Sequence, residues 1–197
     1  MANPDPWWAR EKFWRTAAIV ITGGMAVALI FLTFDTYPAI EAGGSKVPPY
    51  TVINKRIGYQ YDSDLKRQVP VIGGEAPLFG EKRSPAEARA MVSKGKKIVQ
   101  GRNCMDCHTL LGNGAYYAPD LTKSWLDPAW GSPAARESMM VSFLQDPPKY
   151  GRGYGSDRRM PDLGISEQEA RSVVAFLKWM SAIDTNGFPA NFPTIRQ

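Results

Sequence analysis

The residues best suited to chemistry stand together in one pentapeptide, Cys104-Met105-Asp106-Cys107-His108, which holds both cysteines and the only histidine of the 197 residues. The spacing Cys-x-x-Cys-His is the attachment signature of a c-type haem. In such a site the thiols of Cys104 and Cys107 add to the two haem vinyl groups, and the His108 imidazole can ligate the iron from below the porphyrin. The pentapeptide therefore predicts one covalently bound haem c.

Two other uses of these residues fit less well. A structural zinc site needs about four protein ligands, and two cysteines with one histidine fall short of that number. A thioredoxin-like redox pair would open a helix within a βαβ pattern, and no such pattern surrounds the pentapeptide. Because haem c is attached outside the cytoplasmic membrane, the haem prediction also places this part of the chain there.

The second axial ligand of the iron is predicted to be Met160. The chain has no second histidine, so a methionine downstream of the pentapeptide is the natural candidate. Met139, Met140 and Met180 fall in predicted helices, where methionine usually fills the core, whereas Met160 precedes Pro161 in a stiffened loop. His/Met ligation suits electron transfer. A vacant iron position would instead indicate a ligand-binding haem sensor or peroxidase-like chemistry.

A membrane anchor is predicted near the N-terminus. From Thr16 to Phe34 the chain has 19 consecutive uncharged residues. At about 1.5 Å per helical residue this stretch spans roughly 28 Å, close to the ~30 Å hydrocarbon core of a bilayer. We therefore assign residues 1–15 to a tail and residues 16–37 to a single transmembrane helix.

The charges beside the anchor predict its orientation. Arg10, Lys12 and Arg15 precede the apolar run, and acidic residues follow it, so the positive-inside rule places the N-terminus in the cytoplasm and the haem domain outside. A cleaved signal peptide is the alternative. Its apolar core would be about 7–15 residues long and followed by a small-x-small cleavage site, which this sequence does not match.

Three helices with apolar faces are predicted to build the haem domain, residues 84–197. The first begins after Ser84 and the last after Ser166, each with a capping box. A second helix begins after Ser132 and must stop before Pro147. A helix before the haem pentapeptide and another near the C-terminus are typical of an all-α class I cytochrome c domain, in which the first and last helices cross.

Residues 38–83 are predicted to form an extended arm between the anchor and the haem domain. The segment is rich in Gly and Pro. Short apolar pieces at 51–53, 57–61 and 69–72 could form strands, although proline limits any regular sheet. Because a segment of this length without periodicity is often laid over a partner, we expect the arm to pack on another subunit.

The net charge is mildly basic, with 24 Lys and Arg against 19 Asp and Glu, giving +5. No basic run reaches the density of a nucleic-acid-binding patch, so nucleic acid is not an expected partner. The excess charge favours acidic partner proteins or lipid head groups. Arg158 and Arg159, beside Met160, could offset haem propionate charge or attract an acidic donor, or could lie in a solvated loop.

The stretch from His108 to Leu121, HTLLGNGAYYAPDL, closely resembles the segment after the haem motif in the haem c-binding subunit of bacterial nitric oxide reductase, the cytochrome c of that complex. The C-terminal segments 176–179, FLKW, and 183–189, IDTNGFP, resemble the ending of the same family. The N-terminal anchor and the Met160-Pro161 pair agree with it.

This resemblance implies a bacterial inner-membrane complex. The catalytic partner would be a polytopic subunit with haem b and a haem b3–non-haem iron centre that reduces NO to N2O. This chain, which has no catalytic site of its own, would take electrons from a soluble cytochrome c or cupredoxin. The resemblance also implies a calcium ion between the subunits, to which backbone oxygens of Gly114 and Tyr116 contribute.

The arm at residues 38–83 is longer than the corresponding stretch of that family. A variant nitric oxide reductase or a related haem-copper complex therefore stays open, including a cbb3-like oxygen reductase with this chain as its monohaem subunit. A third alternative is a free-standing, membrane-anchored electron carrier without a permanent partner.

Overall fold

The computed structural model describes residues 6–43, 47–151 and 158–189, and it divides the chain into two compact units, Met1–Ser45 and Lys46–Gln197. Most of the regular structure is helical, as the sequence predicts. The helices within the described ranges are α1 (Glu11–Gly43), α2 (Pro85–Gly101), α3 (Pro133–Gln145), α4 (Pro147–Tyr150) and α5 (Glu167–Ser181). The strands are β1 (Lys55–Asp62), β2 (Arg67–Glu75), β3 (Thr109–Leu110) and β4 (Asn113–Gly114).

The first unit contains the predicted anchor. Helix α1 is 33 residues long, and its part from Glu11 to Tyr37 is long and apolar enough to cross a membrane. Apolar side chains along this stretch, such as Val27 and Phe31, are exposed within the unit. Their exposure is the pattern expected of a helix whose apolar surface faces lipid.

Helices α2, α3 and α5 begin where the sequence predicts. Ser84 and Ser166 each cap a helix through a complete capping box, with Glu87 and Glu169 as the returning carboxylates. Ser132 caps α3, which ends at Gln145 before the proline pair. The starts of these helices can be predicted from the sequence because the capping residues lie within one turn of each other.

The predicted crossing of the first and last helices of the haem domain is confirmed. At Gly95 of α2 an added Cβ would lie 2.0 Å from the Ser172 carbonyl oxygen of α5 and 2.8 Å from the Phe176 Cβ. The two helices can therefore approach this closely only at a glycine. Arg102, just after α2, forms an ion pair with Glu169 of α5 at 3.1 Å.

Strands β1 and β2 form a two-stranded antiparallel hairpin within residues 38–83. Pro70 pairs with Tyr59 across this hairpin. A two-stranded ribbon leaves one edge of each strand unpaired, so a proline nitrogen can face outward without loss of a ladder hydrogen bond. Residues 50–54, of which 51–53 could have formed a strand, form a 3-10 turn instead, because Pro48 and Pro49, directly before them, favour a turn.

The described part of the predicted arm packs on the cytochrome domain. Ile53 and Leu78 are fully buried in the same core as Phe176. Lys178 Nζ of α5 donates to the Ala76 carbonyl oxygen at 2.9 Å, and Trp179 Nε1 donates to that of Pro48 at 3.0 Å. The described part of the arm therefore packs on its own cytochrome domain, against α2 as well as α5. Its expected packing on another subunit stays a prediction.

Candidate haem site

The predicted haem residues line one cavity of about 390 Å³ in the second unit. Cys104, Cys107 and His108 lie on its wall, and Met160 lies on it as well, although it is far away in the sequence. Other walls are mostly aromatic or apolar: Tyr117, Pro119, Trp130, Met139, Phe143 and Leu163. A mostly apolar cleft with a few convergent polar groups is typical of a cofactor site.

A tight turn brings the two cysteines and the histidine together. Asn103 adopts a left-handed backbone conformation with φ of 54°, which asparagine tolerates better than most residues. The chain then forms a 3-10 turn over Cys104–Asp106, and the His108 N–H donates to the Cys104 carbonyl oxygen at 2.9 Å. Both thiols are unbridged, and burial raises the pKa of Cys104.

One hydrogen bond orients the His108 ring. Nδ1 of His108 lies 2.7 Å from the carbonyl oxygen of Pro119. Because a carbonyl can only accept, Nδ1 must carry a proton, which leaves Nε2 as the nitrogen available to a metal. A metal-bound histidine usually donates its other ring N–H in this way. The imidazole is thus prepared to ligate iron through Nε2.

Met160 lies in an irregular segment between α4 and α5 and is partly buried against the core. Its neighbour Arg158 donates from Nη1 to the Tyr117 carbonyl oxygen at 3.0 Å, and the guanidinium lies 4.8 Å from the Tyr117 ring centroid. Arg158 thus fastens the Met160 segment to the segment after the haem pentapeptide. Arg159 is exposed at the cavity rim.

Gly114 and Tyr116, the residues of the predicted calcium contact, lie in the segment after the haem pentapeptide. Gly114 in β4 has φ of +118°, and an added Cβ would lie 2.3 Å from the His108 carbonyl oxygen, so the site requires glycine. Tyr116 is 80% exposed at the edge of the cavity. A metal-type cluster of three His, Cys, Asp or Glu side chains is absent from the described residues.

The residues that brace this site were not predicted from the sequence. The Asp120 carboxylate accepts from Thr109 Oγ1 at 2.6 Å and from the Thr122 N–H at 2.7 Å. Thr122 Oγ1 in turn accepts from the Leu111 N–H at 2.8 Å. The polar residues Asp120 and Thr122 just beyond Pro119 are visible in the sequence, but their hydrogen-bond partners are determined by the folded loop.

The donor set fits a haem. An imidazole, a thioether and two unbridged thiols line one cavity, and these are the groups that hold a c-type haem in His/Met coordination. The three tryptophans of the domain differ in place: Trp130 lines the cavity, whereas Trp125 is buried in the core and Trp179 packs against Tyr50.

Comparison with known proteins agrees with this geometry. The family model of cytochrome c matches residues 92–181. The C subunit of nitric oxide reductase from Stutzerimonas stutzeri is 34% identical over 113 residues, which cover 57% of this chain and 74% of the relative. Its counterpart from Paracoccus denitrificans is 34% identical over 103 residues, covering 51% and 65%. That from Cereibacter sphaeroides is 31% identical over 100 residues, covering 49% and 65%.

The matches to the second and third relatives span a little less than two thirds of their length, whereas the first match exceeds that share. The matched region includes the C-terminal part of α2, the haem pentapeptide and α5, so this chain is a haem c protein with an N-terminal helix able to span a membrane. By its sequence and by its domain, the chain belongs to the family of the nitric oxide reductase C subunit.

Proposed function

We propose that this chain is the membrane-anchored electron-transfer subunit of a nitric oxide reductase, with one covalently bound haem c. The observation that carries the proposal is that Cys104, Cys107, His108 and Met160 line the same cavity. The family membership supports the choice of reductase.

In this proposal Cys104 and Cys107 hold the haem through two thioether bonds, each formed when an Sγ–H adds across a vinyl double bond. His108 Nε2 and Met160 Sδ would ligate the iron. When bound, haem c supplies reversible one-electron chemistry at its iron. With an imidazole and a thioether from this chain as its ligands, the iron would offer no open coordination site to NO or oxygen, and the thioether would raise the reduction potential.

The electrons would come from a soluble cytochrome c or cupredoxin and pass to a polytopic partner with haem b and a haem b3–non-haem iron centre. There two NO, two electrons and two protons give N2O and water. The basic character of this chain, +5 overall, supports an acidic donor, since opposite charge speeds encounter. Arg159 and Tyr116 are exposed at the cavity edge, where a donor could approach.

The proposed location is the bacterial inner membrane, with the N-terminus in the cytoplasm and the haem domain in the periplasm. Helix α1 supplies the span. Arg10, Lys12 and Arg15 before the apolar run support this orientation by the positive-inside rule. Attachment of haem c outside the cytoplasm supports the same orientation.

A calcium ion at the subunit interface is a further part of the proposal. Backbone oxygens of Gly114 and Tyr116 would supply two of the six to eight oxygen ligands that calcium takes, and the partner would supply others. We expect a calcium chelator to weaken the complex while the haem stays bound to this chain. Release of haem by the chelator, or an unchanged complex, would contradict the shared site.

The experiment that tests the proposal is purification of the complex from the membrane through this chain. We expect a polytopic subunit with haem b and non-haem iron, and consumption of NO with a reduced donor. Oxygen consumption without NO consumption would favour the cbb3-like alternative, and recovery of this chain alone would favour a free-standing carrier. CO binding to the reduced haem c would indicate an open iron and a sensor.

A further inference from the structure

Lys123 is a buried charged residue that joins separate parts of the cytochrome domain. Its residue surface is only 3% exposed. Nζ donates to the carbonyl oxygens of Ile183 at 2.8 Å and Ser181 at 3.3 Å, and to the hydroxyl of Tyr59. Three ammonium N–H groups thus meet three acceptors. Lys123 connects its own segment to the end of α5 and to strand β1.

The segment from Pro119 to Lys123 carries the carbonyl that orients His108. At its beginning, the Pro119 oxygen accepts from Nδ1 of His108 at 2.7 Å. In its middle, Asp120 is tied to Thr109. At its end, Lys123 fixes the segment through its three hydrogen bonds. A change at Lys123 can therefore affect the orientation of the His108 ring through this five-residue segment.

The β1–β2 hairpin supplies one partner of Lys123, Tyr59. Tyr59 is 3% exposed, and its hydroxyl lies 2.7 Å from the Ser181 carbonyl oxygen and 2.9 Å from that of Ile183. Arg67 of β2 forms an ion pair with Asp184 at 3.1 Å. Both strands lie outside residues 92–181, which match the cytochrome c family. The hydrogen bonds of Lys123 thus depend on residues outside the matched domain.

A purely structural role explains a lysine poorly at this position. A buried ion pair or cation often stabilises a protein no more than a well-packed apolar side chain of similar volume, because the charge loses its hydration. The ammonium makes three hydrogen bonds, and its segment leads back to the Pro119 carbonyl oxygen that accepts from His108. Its contacts therefore suit a role in holding that carbonyl in place.

We propose that Lys123 is a positioning residue for the haem iron: through the Pro119–Lys123 segment it holds the acceptor of His108 Nδ1 and so helps to set the reduction potential. This inference rests on the proposed function. The hydrogen-bond partner of a ligating histidine fixes the orientation of its ring and raises its basicity, and a more basic ligand favours the oxidised iron.

The charge of Lys123 also makes the reduction potential depend on pH. The charged and titratable groups that face it are Tyr59 from β1, Asp184 from beyond α5, which is paired with Arg67, and Asp120 from its own segment. Burial lowers the pKa of Lys123 to about 7, against the opposing effect of the two aspartates. As the pH rises through about 7, a positive charge is lost, which favours the more positive oxidised iron and lowers the potential.

The test is a spectroelectrochemical titration of the full-length, haem-loaded protein in detergent, from below to above pH 7. In Lys123→Met, which keeps much of the volume but lacks the donors, we expect loss of the Lys123 part of the pH dependence. Well above pH 7, where the wild-type lysine is uncharged as well, we expect a higher potential than in the wild type, because the hydrogen bond that makes His108 more basic loses its support. Tyr59→Phe removes one of the three acceptors of Lys123 and should raise the potential above pH 7 by a smaller amount. Haem propionates also titrate, but they are common to all variants.

Lys178→Met is the matched control. Lys178 is 2% exposed, and its Nζ donates to the Ala76 carbonyl oxygen at 2.9 Å rather than to residues that support Pro119. We expect this variant to change stability and to leave the potential and its pH profile at the wild-type values. A shift as large as that of Lys123→Met would show a general effect of buried charge and overturn the inference.

The outcomes separate this inference from the proposed function. Wild-type protein without haem mass or without His/Met spectra would remove both. Haem-loaded Lys123→Met and Tyr59→Phe with wild-type potential and pH profile, but lower stability, would make Lys123 structural only. If Lys123→Met does not fold, Tyr59→Phe decides alone, because it keeps the buried ring and loses only the hydroxyl.

Discussion

The two predicted iron ligands are held in different ways. His108 is oriented by its own hydrogen bond to Pro119. A thioether accepts hydrogen bonds only weakly, so the position of Met160 depends on its segment, which Arg158 ties to Tyr117 by a hydrogen bond of 3.0 Å and a cation–π contact. The methionine side of the site is therefore the one more easily displaced.

The first prediction concerns Met160. We expect Met160→Leu to abolish the sulfur-to-iron charge-transfer band of the oxidised protein, lower its reduction potential and let CO bind the reduced haem, because leucine offers no ligand atom. Absorption spectroscopy and redox titration measure these changes. Met139→Leu is the control, since Met139 lines the same cavity from α3 and should keep the band. A band that survives in Met160→Leu would contradict the assignment.

Among the elements, α2 and α5 form the frame on which the haem segment is held. α2 ends at Gly101, three residues before the first cysteine, and the Arg102–Glu169 ion pair of 3.1 Å fastens that end to the start of α5. The hairpin is in contact with the other end of α5, through Tyr59 and the Ser181 carbonyl oxygen. Both ends of α5 are thus fixed.

The second prediction concerns the crossing of these helices. We expect Gly95→Ala to lower the free energy of unfolding by about 1–3 kcal/mol, because the new Cβ would overlap the Ser172 carbonyl oxygen, 2.0 Å away, and push the helices apart. Gly101→Ala in the same helix meets nothing within 4 Å. It should be neutral or stabilise by up to about 1 kcal/mol. Denaturant unfolding followed by circular dichroism distinguishes the two; equal effects would contradict a close crossing at Gly95.

The helices could be predicted from the sequence because their signals are local. Each capping box lies within four residues, and the apolar residues of each helix recur at helical spacing within that helix. The same holds for the haem pentapeptide, whose five residues form one turn. Met160 was predicted by elimination and by the adjacent proline, and the structure does bring it to the cavity wall.

The β1–β2 hairpin and the buried hydrogen bonds of Lys123 could not be predicted in the same way. Pro70 argued against a regular strand, and only the absence of a third strand in this described sheet makes it acceptable. Lys123 stands between Thr122 and Ser124 in a polar stretch that reads as surface. Its burial depends on Tyr59, 64 residues earlier, and on carbonyls 58 and 60 residues later. Such pairings are set by tertiary packing.

For the whole domain, buried lysines link stability to pH. Burial lowers the pKa of Lys178 to about 8 from an unfolded value of 10.5, although Glu137 opposes the change. Between these two values the unfolded chain binds more protons than the folded chain, so the free energy of unfolding rises with pH. Below about pH 8 the lysine is charged in both states, and the full penalty of burial is present.

The third prediction follows from this linkage. We expect the free energy of unfolding to increase by on the order of 2 kcal/mol from Lys178 as the pH rises from about 8 to 10.5. Lys178→Met should remove that increase, whereas Lys94→Met, at an exposed position of α2, should keep it. Denaturant titrations at several pH values measure the slope. An unchanged slope in Lys178→Met would contradict a buried, partly deprotonated amine.

The fourth prediction concerns the placement of the chain across the membrane. We expect the triple variant Arg10→Glu, Lys12→Glu, Arg15→Glu to lose much of its covalent haem, because positive charge near the helix end keeps the N-terminus in the cytoplasm and haem c is attached only outside. Haem-stained gels measure the loading, and protease added to spheroplasts measures which side is exposed. The control carries glutamate at Lys94, Lys96 and Lys97, exposed positions of α2, so its net charge changes equally. Equal haem loading in both variants, with the same protease pattern, would mean that the basic residues do not orient the anchor. Loss in the first variant alone would tie the redox function of the domain to the charges before its membrane helix.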